Sequence, residues 1–214
     1  MLILLPPSEK KKAATGHGQF DISALSFADE LTLAREVGIS KIVTTETSPA
    51  IEIYAGVLYQ GLGWNSLSSQ IQKRANSRVL IVSALFGLLK PFDQIFSYKS
   101  KIDSKLWREP ISAVAKKFEN DLVIDCRSST YKGVWPVNPE STIEVRVFKV
   151  ESGERSVITH MSKKYRGELA RHLLSQNSDP QNPFEVQIIA SQLFECELHP
   201  PIDGQPWALD LLIS

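Results

Sequence analysis

Two cysteines in 214 residues, Cys126 and Cys196, are too few for a disulfide framework and are not paired as zinc ligands are. Both are expected as reduced thiols behaving like small hydrophobes. Net charge is also missing: 24 Lys plus Arg balance 24 Asp plus Glu. That excludes a general nucleic-acid coat, so any anion recognition must come from a local patch. No apolar run approaches membrane-spanning length. The opening Met1-Leu-Ile-Leu-Leu-Pro-Pro lacks a basic lead and is too short for a signal segment. It reads as a buried strand stopped by Pro6 and Pro7, and the cytoplasm is the expected compartment. There is no internal repeat, no low-complexity stretch, no G-x-S-x-G, no P-loop and no G-x-G-x-x-G. His17, His160, His172 and His199 show no close ligand spacing, so neither a metal nor another cofactor is expected.

What is present is enough apolar material, 43% of the chain, for one ordinary core. Length favours one domain over residues 1–214. Arg78 to Leu85 and Asp121 to Cys126 are continuous apolar runs, the mark of strands covered on both faces. Ile143, Val145 and Val147 alternate with Glu144 and Arg146 and, with Val157 and Ile158 beyond a turn, predict a hairpin. Helical spacing marks Leu25 to Val37 and about Lys105 to Phe118, the latter opened by Asp103 or Ser104. Thr47-Ser48-Pro49 is expected to start a helix with Pro at its first position. Trp64, Leu67 and Ile71 suggest a short helix ending near Lys73-Arg74. Phe86 to Tyr98 reads as a structured loop. Ser162 is expected to cap a helix facing inward through Tyr165, Leu169, Leu173 and Leu174, and Trp207 to Ile213 predicts a last strand. The fold class is mixed α/β (α+β), a single domain with a mixed central sheet flanked by helices.

Three segments carry chemistry. Lys163, Lys164 and Arg166 crowd the start of the Ser162 helix, where the dipole disfavours cations by up to about 1 kcal/mol each. A bound anion reverses that sign, and Gly167 admits a close backbone or ligand; the alternative is lysines that reach into solvent. Ser83 to Lys99 leaves the end of a buried strand, where open sheets place ligand contacts, and its polar members are Lys90, Asp93, Tyr98 and Lys99. Asp93 is either a general base or a residue that pairs with Lys90 or caps a turn. Asp125-Cys-Arg-Ser-Ser-Thr-Tyr also follows a strand. There Arg127 with Ser128, Ser129 and Thr130 either forks a phosphate or makes a helix cap and a surface arginine. The lysines of Ser8-Glu-Lys-Lys-Lys-Ala form a solvated turn or rim a site.

In this order the segments resemble the YaaA family of bacterial peroxide-stress proteins. Met1 to Lys10 is similar to the family's opening, and Tyr54-Ala-Gly-Val-Leu-Tyr59 to its Y/F-x-G-x-x-Y segment. Ser83 to Lys99, Asp125 to Tyr131 and His160 to Arg171 resemble its loop, its short polar turn and its K-x-x-R-G-x-x-x-R helix. The resemblance implies a role in limiting hydrogen-peroxide damage, linked to lowering free iron. It also implies a positively charged cleft and DNA binding through a helix-hairpin-helix element. Carried over, the cleft residues are Lys90, Tyr98, Lys99, Lys163, Lys164, Arg166 and Arg171. The chain is shorter than the longer members, with the gap before Thr44, and Val37-Gly38-Ile39 is the only trace of such a hairpin.

Three functions follow for testing. The first is a basic cleft, with Arg127, Ser128 and Ser162 added, that holds DNA or another phosphate-bearing ligand. The second is an enzyme on a small nucleotide- or nucleobase-like substrate, with Lys163 or Lys164 as nucleophile or stabiliser, Asp125 or Asp93 as base and Tyr98 as donor. The third, direct iron binding, has little support because carboxylate and histidine ligands are not grouped along the chain. No membrane partner is expected, and the chain is expected to be a monomer.

Overall fold

An apolar run without polar alternation needs cover on both faces, and the chain supplies it. The computed structural model describes residues 1–39, 46–136, 138–158 and 161–214. Thr44 and His160, named above, lie outside the described residues. The first run forms β1 (Leu2–Leu5), followed by β2 (Gly16–His17), α1 (Ala28–Ile39), β3 (Glu46–Pro49), α2 (Ala50–Ile53) and α3 (Val57–Leu62). Next come α4 (Ser69–Arg78), β4 (Val79–Ser83), β5 (Gly87–Leu89), β6 (Gln94–Ile95), α5 (Ser104–Ala115), β7 (Val123–Asp125) and α6 (Ser129–Lys132). The hairpin β8 (Thr142–Glu151) and β9 (Glu154–Val157) precedes α7 (Ser162–Ser175), α8 (Pro183–Ala190), β10 (Glu195–His199) and β11 (Trp207–Ile213).

Among the described residues, eight strands make one sheet in the order β10-β11-β8-β7-β1-β4-β5, with β9 paired to the later half of β8. The five strands from β11 through β4 run parallel, while β5, β9 and β10 are antiparallel. β2, β3 and β6 form a small antiparallel sheet. Side chains alternate across the pleat, so Leu2, Leu4, Leu80, Val82 and Val123 meet Leu31 of α1 and Trp107, Ile111 and Val114 of α5. Ile3, Leu5, Ile81, Ile124 and Val145 face the opposite way, against Leu58 and Leu62 of α3 and Leu169 and Leu173 of α7. Each such burial contributes roughly 1.5–3 kcal/mol relative to exposure. This is the mixed, helix-flanked sheet the sequence predicts. No helix among the described residues is long and apolar enough to cross a membrane.

Several local expectations change. Pro49 ends β3 and sits at the N-cap of α2, without a side-chain cap bond, because Ser48 pairs with Ile95 of β6 and its hydroxyl accepts from Thr15 N–H at 3.0 Å. α4 runs past Lys73-Arg74 to Arg78, because Arg74 is not a stop signal: its guanidinium donates to the Leu174 and Gln176 carbonyls at the end of α7. Ser162 is the first helical residue of α7, and Met161 holds the N-cap position. Asp103, by contrast, caps α5 as expected, accepting from Lys105 and Leu106 N–H.

Candidate functional site

The carboxyl ends of β1, β4 and β7 lie side by side, the edge at which open α/β sheets receive ligands. The loop leaving β1 folds back and zips onto the α2–α3 junction. Lys11 bridges Tyr54, Lys12 N–H donates to Ile53 O at 2.8 Å, and Ala55 N–H donates to Lys10 O at 3.0 Å. The bridge leaves Lys10 and Lys12 exposed and holds Lys11 half-buried. The Lys11 ammonium donates to the Ser8 carbonyl at 2.7 Å and lies over the Tyr98 ring, 4.3 Å from its centroid, and the Tyr54 ring at 5.7 Å. Burial pushes its pKa down, against a smaller upward pull from Glu9.

Beneath Lys11 runs a hydroxyl chain. Tyr98 Oη stands 2.7 Å from Ser83 Oγ and 2.9 Å from Tyr54 Oη. Tyr59 stacks on Tyr54 and donates its hydroxyl to Pro6 O at 2.8 Å. Burial pushes the Tyr54 and Tyr59 phenols well up, and raises Tyr98 against hydrogen bonds from Ser83 and Tyr54. Tyr131, half-buried, is pushed up to about 12 by burial, with smaller contributions from Tyr98 and Glu9. Four of the five tyrosines in the chain gather at this edge.

The third contributor is α7. Gly61 and Gly167 let α3 and α7 touch backbone to backbone: a Cβ on Gly167 would lie 2.0 Å from Leu58 O, and one on Gly61 2.2 Å from Lys164 O. The close approach that Gly167 allows is thus to another backbone. It seats the second turn of α7 against the turn after β7, where Arg166 Nη1 donates to Arg127 O at 3.4 Å and Cys126 Sγ lies 3.9 Å from Arg166 O. Arg166 Nε is buried with no hydrogen-bond partner among the described residues. Neither Lys11 nor Arg166 has an ion-pair partner among the described residues.

A model described as peroxide stress protein YaaA matches residues 20–195. The chain belongs to the YaaA family. It is 33% identical to a UPF0246 protein of Streptomyces coelicolor, over all of this chain and 98% of the relative. It is 33% identical to a UPF0246 protein of Corynebacterium glutamicum, over 89% and 91% of the two chains. The Streptomyces alignment spans 259 positions against 214 residues here, so 45 positions have no residue of this chain opposite them. Tyr54, Tyr59, Ser83, Tyr98, Tyr131 and Arg166 fall inside the stretch matched by the YaaA model, and Lys11 precedes it.

Other residues expected in the YaaA-like cleft serve elsewhere or stand free. Arg127 does not offer its fork to an anion: Nε and Nη2 bind Asp125 at 2.9 and 2.8 Å, and Nη1 binds Tyr131 O at 2.8 Å, all inside the protein. Asp125 is committed to the same fork. Asp93 takes the turn-cap alternative, accepting from Lys90 N–H at 2.9 Å and from the Ser26 hydroxyl at 2.7 Å. Lys90 Nζ lies over the Phe27 ring, 5.5 Å from its centroid. Arg171 donates to Leu62 O and Gly63 O, closing the end of α3. Ser128 precedes α6 without a side-chain cap bond, and Ser162 is buried. Lys164 is 3.5 Å from Glu168, while Lys99 and Lys163 are exposed.

Tyr54, Tyr59 and Tyr131 are absent from the sequence-derived site, although the tyrosine motifs hold them, and Lys11 is one of the Ser8–Lys12 lysines read as a solvated turn or a site rim. One grouping runs against the sequence reading. Pairing of β10 with β11 brings Glu197, His199 and Asp210 within 4.8 Å of one another. Arg146 forks Asp210 and Arg155 forks Glu197, so both carboxylates already carry a cation.

Proposed function

We propose that this protein serves the peroxide response as a cytoplasmic monomer that holds a phosphate-bearing ligand, DNA foremost, on the cationic edge of its sheet. Limiting damage from free iron would be the outcome of that binding. One observation carries the reading: Lys11 and Arg166, far apart in sequence, reach the same carboxyl edge with no ion-pair partner among the described residues. Lys163 and Lys99 stand exposed and extend the positive set. A ligand anion offsets the unfavourable placement of Lys163 and Lys164 in the first turn of α7. The zero net charge means that attraction is local and salt-sensitive.

The test is fluorescence anisotropy of labelled duplex and single-stranded DNA across a salt series. The logarithm of the affinity should fall linearly with log salt, with a slope of about 0.9 per duplex phosphate contact, and with little sequence preference. Lys11→Ala and Arg166→Ala should each weaken binding across all sequences and reduce the slope by about one. Absence of binding to either DNA form at low salt overturns the proposal.

A further inference from the structure

Proton bookkeeping in the hydroxyl chain points to a more specific ligand group. Ser83 Oγ accepts from Phe86 N–H at 3.0 Å and Leu85 N–H at 3.3 Å, which fills both of its lone pairs. Its own proton is therefore donated to Tyr98 Oη, 2.7 Å away. Between Tyr54 and Tyr98 either oxygen could donate by distance alone. Tyr54 is 2% exposed, and Ser83 has no lone pair left for it, so a Tyr54 proton not given to Tyr98 would be buried without an acceptor. That arrangement is costly, and the one that avoids it has Ser83 and Tyr54 both donating to Tyr98. Tyr98 then has its lone pairs occupied and its own O–H left over, with no acceptor among the described residues.

We propose that Tyr98 and Lys11 form a subsite for a terminal oxyanion, a phosphomonoester group. Both supply donors only, and a phosphomonoester supplies only acceptors and two negative charges. Depth decides between a terminal and an internal phosphate. Tyr98 is 8% exposed, below the half-buried Lys11. A phosphodiester flanked by two sugars in a duplex cannot be pushed that far in, whereas a projecting end group can. The subsite rests on the anion-binding reading of this edge and narrows it. The group arrives either on a nucleic-acid end or on a small free phosphomonoester.

The experiment uses the full chain and internally labelled oligonucleotides ending in 5′-phosphate, 3′-phosphate or hydroxyl, with adenosine 5′-monophosphate titrated separately by calorimetry. A phosphorylated end should tighten binding about tenfold over hydroxyl ends. Tyr98→Phe and Lys11→Met should each remove that increment, while Arg166→Ala weakens all ends alike. Tyr98→Phe also strips an acceptor from two buried donors, so thermal melts accompany it. Lys11→Met leaves the hydroxyl chain intact and decides the matter if Tyr98→Phe does not fold. Binding of the monophosphate, lost in Lys11→Met, without any DNA binding supports the subsite and removes DNA as its source. DNA binding blind to its end groups, together with no monophosphate binding, overturns the subsite and leaves the DNA reading standing. An end-group increment that survives both substitutions also overturns it.

Discussion

Arg127 and Asp125, two residues apart at the end of β7, close a bidentate ion pair inside the protein, with exposures of 1% and 3%. A buried pair of this kind is a weak source of net stability, but breaking it leaves a lone charge in a poor solvent. Asp125→Ala should therefore cost about 3–5 kcal/mol in urea unfolding. A loss under about 1 kcal/mol would mean that Arg127 finds water or another partner.

Gly167 of α7 is the tightest glycine at the α3 contact, since its Cβ would also lie 2.9 Å from Leu62 N. The atoms in the way are backbone and cannot rotate aside. Gly167→Ala should lower stability by about 1–3 kcal/mol or more, as overpacking does, and loosen the seat of Arg166. Gly133→Ala is the matched control, because nothing but the tip of Arg108 comes within 4 Å of a Cβ there. Chemical denaturation of the two variants separates local crowding from a general intolerance of alanine.

Alkaline pH should unfold this protein from the site outward. Burial holds Cys126 at about 12 against an ordinary 9.0, Tyr131 at about 12 against 10.0, and Tyr54, Tyr59 and Tyr98 above 10.0. Every one of these pKa values is raised on folding, so the native state keeps protons that the unfolded chain has already lost. Their contribution is complete below pH 9 and is lost as pH climbs from 9 through 12. Fully buried Cys126 alone gives a slope approaching 1.4 kcal/mol per pH unit in that window. Urea midpoints at pH 7, 9, 10 and 11 check it; a midpoint unchanged to pH 11 contradicts it.

Thiol labelling should divide the cysteines. Cys126 is fully buried and stays protonated, while Cys196 is half-exposed beside Ser191. An aromatic disulfide reagent should release one equivalent from the native protein and a second only on unfolding. Two equivalents at the same rate would show that the Arg166 side of the site opens readily.

What could be read from sequence was whatever lies in one segment. The runs at Leu2, Val79 and Val123 announce buried strands because both neighbours on the pleat are apolar, and the β8–β9 turn is local. The site was legible in part for the same reason: strand ends at Ser83 and Asp125 mark the ligand edge. Its interior was not, because Tyr98 meets Tyr54 across 44 residues and no spacing rule encodes that contact. Arg127 looked available because its carboxylate partner is two residues away on the same turn, a contact that depends on backbone direction. α8 was missed although Asn182, Pro183 and Glu185 spell a capped helix start, and the Asn182 side chain does accept from Glu185 N–H.

The placement of β1 has a bearing on synthesis. Ile3 pairs with Val79 on one side and Ile124 on the other, so β1 is made well before either of the strands that enclose it. At ribosomal speeds of roughly 5–20 residues per second, its apolar side chains wait several seconds for each neighbour to emerge. Nascent copies are then sticky in proportion to translation time, and a pause before residue 124 lengthens the interval in which a holding chaperone is needed.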